Sequence, residues 1–180
     1  MSQRKLQDPS AFIRHWRDRL DPPTQALDLA CGGGRNGRAF LAAGRQVTFL
    51  DRDVGALEDL RGAAEVIEAD LETGGPFPLA GRQFDLVLVV NYLWRPILRD
   101  VMAAVRPGGW LLYETFARGN EAYGRPSNPN FLLRPNELLD VAGGCFQVAE
   151  FRHGLVEGPA VKQMFAGRRR RPVLERARED

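Results

Sequence analysis

The chain has 180 residues, 44% of them hydrophobic and 27% charged, with a formal net charge of +2. That length suits one globular domain with its own core and is too short for two full catalytic domains. Two cysteines, Cys31 and Cys145, exclude a disulfide framework or a structural zinc site and fit a reducing, cytoplasmic setting. No apolar run approaches the roughly 20 residues of a membrane helix. Met1 to Pro9 is polar and reads as carrying no secretory signal. All basic residues except Lys5 and Lys162 are arginine, which reads first as base composition and second as suited to bidentate anion recognition.

In chain order, Phe12, Ile13, Trp16 and Leu20 recur at helical spacing after Ser10, a suitable N-cap, and Asp21-Pro22-Pro23 stops the helix. Gln25 to Ala30 reads as a buried strand running into Cys31-Gly32-Gly33-Gly34. A helix is expected over Arg35 to Ala43, a strand over Val47 to Leu50, a helix over Val54 to Arg61 and a strand over Val66 to Ala69. Residues 71–82, rich in Gly and Pro, read as loop. Phe84 to Val90 is the most apolar strand, broken by Asp85. A helix over Ile97 to Val105, a turn at Arg106-Pro107-Gly108-Gly109 and a strand over Trp110 to Phe116 follow.

Residues 117–134 read as a long structureless loop, a length that is usually functional or disordered. Pro135 to Val141 is a short helix, and Phe146 to His153 and Val161 to Arg168 are the last strands. Their connection, Gly154 to Ala160, is too short for a parallel crossover and predicts an antiparallel hairpin. Arg168 to Asp180 is charged and reads as a fraying tail; the run Arg168 to Arg171 reads as a solvated strand end rather than a nucleic-acid site. The alternation predicts an α/β fold with a mostly parallel sheet and helices on both faces. Residues 1–180 are expected to form one domain, with an N-terminal helix within 1–24 and a flexible tail at 169–180.

Gly32, Gly34 and Gly37 spell G-x-G-x-x-G between a strand and a helix. Such a backbone admits a nucleotide-like ligand closely, and the helix start favours an anionic group. The motif serves dinucleotides and other adenosine cofactors alike. Asp51 closes the second strand, where a carboxylate accepts from ribose hydroxyls. Asp70 closes the third, where a carboxylate accepts from the exocyclic amine of an adenine.

Leu27-Asp28-Leu29-Ala30-Cys31-Gly32-Gly33-Gly34 resembles the glycine motif of class I S-adenosylmethionine-dependent methyltransferases. Leu50-Asp51, Ala69-Asp70-Leu71, Phe84-Asp85-Leu86-Val87 and Arg106-Pro107-Gly108-Gly109-Trp110-Leu111 resemble their later segments in order, over residues 25–168. Arg35-Asn36 is similar to the compact tellurite-resistance-type branch, and Tyr113 to Leu139 to an uncharacterised subgroup of it. The resemblance implies a seven-stranded Rossmann-like methyltransferase sheet with a C-terminal antiparallel hairpin. It implies S-adenosylmethionine as cofactor, with contacts from Asp28, Ala30, Gly32, Gly34, Arg35, Asp51, Arg52, Asp70, Leu71 and Asn91. Asp28 would lie beneath the glycine turn and hold its amides or reach the cofactor ammonium through water. Ala30, Gly32 and Gly34 would offer backbone to the methionine part, and Arg35 would pair with its carboxylate. Asn91 would sit near its ammonium. Ala30 stands where that motif usually has glycine.

An activated methyl donor leaves the protein mainly to position an acceptor, and a base is needed only for a nucleophile carrying a proton of high pKa. The acceptor pocket is expected from Tyr92, Trp94 and Arg95 after the fourth strand and from Glu114, Tyr123, Arg125, Asn128 and Phe131 after the fifth. Arg14, His15 and Trp16 of the first helix would complete the roof. Aromatics with arginines suit a small anionic or polarisable acceptor; packing of Trp16 and Trp94 as core or lid suits the same residues. Glu114 reads as a base or as the partner of Arg95 or Arg125. Cys31, Cys145, His15 and His153 read as non-catalytic, and no metal site is visible. A nicotinamide-dependent oxidoreductase and a non-catalytic S-adenosylmethionine-binding protein remain alternatives. The acceptor and the oligomeric state are left open.

Overall fold

The computed structural model describes residues 8–172, which build one seven-stranded sheet. The strands are β1 (Gln25–Leu29), β2 (Gln46–Asp51), β3 (Glu65–Glu68), β4 (Phe84–Val90), β5 (Val105–Phe116), β6 (Phe146–Val156) and β7 (Ala160–Arg169). Their order is β3-β2-β1-β4-β5-β7-β6, and β7 runs antiparallel to both neighbours while the rest are parallel. The expected closing hairpin is present, with β6 extended to Val156.

Alternation along the strands divides the core into two layers. Leu27, Leu29, Leu50, Val87, Val89, Leu111 and Tyr113 face one layer, covered by α3 (Leu98–Ala103) and α4 (Glu137–Ala142) through Leu98, Val101 and Leu138. Ala26, Phe49, Leu86, Leu88 and Leu112 face the other, covered by α1 (Ala11–Arg17) and α2 (Arg35–Leu41) through Phe12, Ile13 and Phe40. All of β4 is buried because both faces are covered. Each such fully buried Leu or Phe contributes about 1.5–3 kcal/mol. The charge in β4 is answered locally: Asp85 Oδ2 accepts from the amides of Thr24 and Gln25, both at 2.8 Å, and Arg106 pairs with its other oxygen.

Ser10 caps α1, accepting from the Ile13 amide at 3.1 Å. The Ser10 amide donates to Asn36 Oδ1 at 3.0 Å, tying α1 to the start of α2.

Five sequence expectations need correction. The helix expected over Val54 to Arg61 is a 3-10 segment, Gly55–Leu60, with Leu57 N donating to Val54 O at 2.9 Å, the tighter winding of a short connector. The helix from Ile97 begins as a 3-10 turn, Arg95–Ile97, before α3. The turn at Arg106 to Gly109 lies inside β5 as an irregularity: Phe84 pairs with Val105 but Leu86 with Trp110. The stretch 117–134 is not structureless. It holds 3-10 turns at Asn120–Ala122 and Pro129–Phe131, and it pairs Ala117 with Leu133. Leu132 and Leu133 are fully buried, so the loop carries its own apolar anchor. The expected tail begins later than foreseen, since Arg168 and Arg169 belong to β7 and donate to carbonyls of Gly108, Ala103 and Val105. Residues 1–7 and 173–180, with Lys5 and the remainder of the tail, lie outside the described residues.

Candidate functional site

Parallel strands end on one edge, and β1, β2 and β4 deliver the turn 30–34, Asp51 and Asn91 there. Ala30 adopts a left-handed backbone, φ 51°, which explains why glycine suits this position elsewhere. Gly34, φ 71°, begins α2 in the same region. The helix then passes so close to the sheet that a Cβ on Gly37 would lie 2.6 Å from Phe49 Cε1 and 2.9 Å from Asp28 Oδ2. Asp28 is buried beneath the turn, and its Oδ2 accepts from the Gly37 amide at 2.7 Å. Burial pushes its carboxyl up to about 7 against that hydrogen bond. Of its two expected roles, the geometry shows the one that holds the turn.

Asp51 accepts from the Gly32 amide at 2.7 Å and the Asp53 amide at 3.1 Å. Its two oxygens retain capacity for further donors. It opens onto a cleft of about 390 Å³ shared with Ala30, Gly32, Arg52, Ala69, Asp70, Leu71, Glu72, Asn91, Tyr92 and Phe131. A Cβ on Gly32 would meet nothing within 4 Å, so the turn presents open backbone. Asp70 Oδ1 accepts from the Glu72 amide at 2.8 Å. Seven of the ten expected cofactor residues thus gather on this cleft: Ala30, Gly32, Asp51, Arg52, Asp70, Leu71 and Asn91. Asp28 and Gly34 support it from beneath and beside. A backbone turn, two carboxylates, the apolar Leu71 and the flat rings of Tyr92 and Phe131 fit an adenosine cofactor.

A second cavity, about 500 Å³, lies beyond Asn91. Ser10, Ala11 and Phe12, Arg35, Glu114, Phe116, Tyr123, Arg125, Lys162 and Met164 line it with the β6–β7 turn. Arg35, expected at the methionine carboxylate, belongs to this lining. Of the residues expected around the acceptor, Glu114, Tyr123 and Arg125 share this lining. Between the two cavities stands Lys162. Its Nζ donates to Asn91 Oδ1 at 2.8 Å and to Glu114 Oε1 at 2.6 Å, 5.0 Å from the Phe116 ring centre. The Asn91 amide also donates to the Glu114 carbonyl, at 2.7 Å.

Sequence analysis missed Lys162; of its two readings of Glu114, base or partner of Arg95 or Arg125, the structure replaces the arginine by Lys162. The one available signal was its rarity, as one of two lysines in an arginine-rich chain.

Other expected acceptor residues are elsewhere. Arg95 forks onto Glu137 at 2.6 and 2.9 Å and donates to the carbonyls of Asn130 and Leu132 at 2.7 and 2.8 Å. It clamps the loop to α4 and lines neither cavity. Burial would raise Glu137, but Arg95 and the Arg134 amide hold it below the usual carboxylate range. Tyr92 and Phe131 line the cofactor cleft. Trp94 packs against the core. Trp16 stacks on Trp110, ring centres 5.4 Å apart, and donates to Glu150 at 2.8 Å; His15 approaches the same carboxylate. Ser10 to Phe12, rather than Arg14 to Trp16, line the second cavity. Burial, with Asp28 and Asp51 nearby, pushes the Cys31 thiol up, away from any nucleophilic role.

A sheet of this order, with a glycine turn after β1 and carboxylates at the ends of β2 and β3, has the Rossmann-like fold of methyltransferases. Residues 26–109 match the family described as "Methyltransferase domain". A ubiquinone biosynthesis O-methyltransferase of Burkholderia lata is 33% identical over 109 residues, covering 55% of this chain and 47% of that protein. A malonyl-[acyl-carrier protein] O-methyltransferase of Pseudescherichia vulneris is 33% identical over 106 residues, covering 54% and 41%. The chain spans about half the length of these curated relatives. TehB from Haemophilus influenzae shares the fold with a TM-score of 0.69 at 16% identity, over 88% of this chain and 61% of that one. So does a Burkholderia thailandensis 1,6-didemethyltoxoflavin-N1-methyltransferase, with a TM-score of 0.66 at 16% identity, over 90% and 78%. No described helix is long and apolar enough to cross a membrane.

Proposed function

We propose that this chain is a cytoplasmic methyltransferase unit that transfers the methyl group of S-adenosylmethionine to a small anionic acceptor. One observation carries this: the cofactor cleft and the arginine-lined cavity meet at a single joint, Asn91–Lys162–Glu114. S-adenosylmethionine, when bound, supplies a methyl group already activated on a sulfonium. The chain's residues orient it and receive the acceptor. Asp51 accepts from the ribose hydroxyls, Asp70 and the Leu71 backbone meet the adenine edge with Arg52 beside it, and Ala30, Gly32 and Asn91 hold the methionine part. Arg35 and Arg125 draw the acceptor's negative charge into the second cavity, walled by Phe12, Phe116 and Tyr123. Oxygen as the accepting atom is supported by the two curated relatives, both O-methyltransferases by name. Both cysteines are free, which suits a reducing compartment.

Calorimetric titration with S-adenosylhomocysteine, with NADH as control ligand and Asp51→Ala as control protein, tests the reading. Micromolar binding of S-adenosylhomocysteine alone, lost in Asp51→Ala, is expected. Binding of NADH instead, or of neither, overturns it. Binding without turnover of any acceptor favours a non-catalytic cofactor-binding protein.

A further inference from the structure

The second cavity holds a charge pair whose construction exceeds what packing needs. Glu114 and Lys162 are both nearly buried, at 6% and 12% side-chain exposure. A buried pair of this kind stabilises little, because desolvation offsets the attraction. Lys162 is satisfied by Asn91 and Glu114 and is stacked on Phe116. Glu114 is not satisfied: Oε1 takes the Lys162 proton donor, but Oε2 is buried with no hydrogen-bond partner among the described residues. An unpartnered buried carboxylate oxygen is costly and is relieved by a donor. The site therefore wants a ligand that brings a hydroxyl, beside arginines that want an anion.

We propose that Glu114 is the general base of the reaction, that Lys162 positions it and steadies the developing oxyanion, and that the acceptor is a hydroxyl-bearing aromatic carboxylate. This rests on the methyltransferase reading above. The acceptor hydroxyl donates to Glu114 Oε2. A lone pair on its oxygen forms the new O–CH3 bond as the S–CH3 bond breaks, and the S–C bonding pair stays on sulfur. The hydroxyl proton passes to Glu114 and later to solvent. Phe12, Phe116 and Tyr123 pack the ring, and Arg35 and Arg125 hold the carboxylate. A soft anion, such as a thiolate, carries no such proton and needs neither Glu114 nor Lys162.

The probes are 3-hydroxybenzoate, benzoate and a nitrated 3-hydroxybenzoate that is already phenolate at the assay pH. With S-adenosylhomocysteine bound, the wild type should bind 3-hydroxybenzoate at least tenfold tighter than benzoate, as a hydrogen bond to a charged group predicts. Glu114→Gln should keep its S-adenosylhomocysteine affinity within threefold and lose most of that preference. Its kcat with 3-hydroxybenzoate should fall about a hundredfold or more, and with the nitrated probe less than tenfold. Lys162→Arg should retain more activity than Lys162→Met. Should Glu114→Gln fail to fold, the double variant with Lys162→Met leaves no lone buried charge and serves the same comparison. Equal binding of benzoate and 3-hydroxybenzoate, equal losses on both hydroxylated probes, or turnover of thiols but of no hydroxylated probe overturns the proposal while leaving cofactor binding intact. Absence of S-adenosylhomocysteine binding by the wild type overturns the underlying methyltransferase reading instead.

Discussion

Asp28 Oδ2 lies 2.7 Å from the Gly37 amide nitrogen, so one buried carboxyl of β1 holds the first turn of α2 against the sheet. Burial raises that carboxyl to about 7, far above an unfolded aspartate. Between pH 4 and 7 the folded chain keeps a proton that the unfolded chain has lost. Folding is therefore favoured at the acid end of that window by this group, and the contribution is lost as pH rises through 7. Asp28→Asn removes the titration. The midpoint of urea unfolding, compared from pH 5 to 8, should move toward the variant's favour as pH rises; a constant difference would refute the shift.

Gly37 has no room for a side chain. Gly37→Ala must displace Phe49 or Asp28, since its Cβ would fall 2.6 and 2.9 Å from their atoms. Overpacking of this kind costs about 1–3 kcal/mol. Thermal unfolding should shift down by several degrees, with S-adenosylhomocysteine affinity falling as the turn moves.

Ala30 is the contrasting case. Its left-handed backbone costs an alanine about 1–2 kcal/mol. Ala30→Gly relieves that but loses a methyl group and frees the unfolded chain, terms of similar size. Ala30→Gly should be neutral within about 0.5 kcal/mol, and Ala30→Val, β-branched in a region it avoids, should destabilise by about 2 kcal/mol. Urea unfolding of the pair reads both.

Arg95 joins the 117–134 loop to α4 through Glu137 and two carbonyls. Lysine cannot reproduce that planar fork. Arg95→Lys should cost about 1–3 kcal/mol and speed limited proteolysis within 117–134. Unchanged cleavage would show that Leu132 and Leu133 hold the loop without it.

The alternation of strands and helices, the glycine turn and the acids at positions 51 and 70 were legible in the sequence because each is local. A strand's apolar run, a turn's glycines and a carboxylate that ends a strand are set by neighbours along the chain. Where local signals compete, the sequence misled: a connector of six residues winds as a 3-10 segment, and the Pro-Gly-Gly turn becomes an irregularity within β5. The other half of the site was not legible. Glu114 meets Lys162 across 48 residues, and Arg95 meets Glu137 across 42. Any of several arginines suited either acid by charge alone. Sheet order decided the matter: β7 inserts beside β5 and pairs Phe116 with Lys162, which carries the lysine to Glu114. The sequence by itself determined the glycine turn and the acids of the first cleft, through short-range chemistry. The tertiary structure decided the second cavity and its Glu114–Lys162 pair, because charges choose partners by distance and burial, and only the packed sheet sets those.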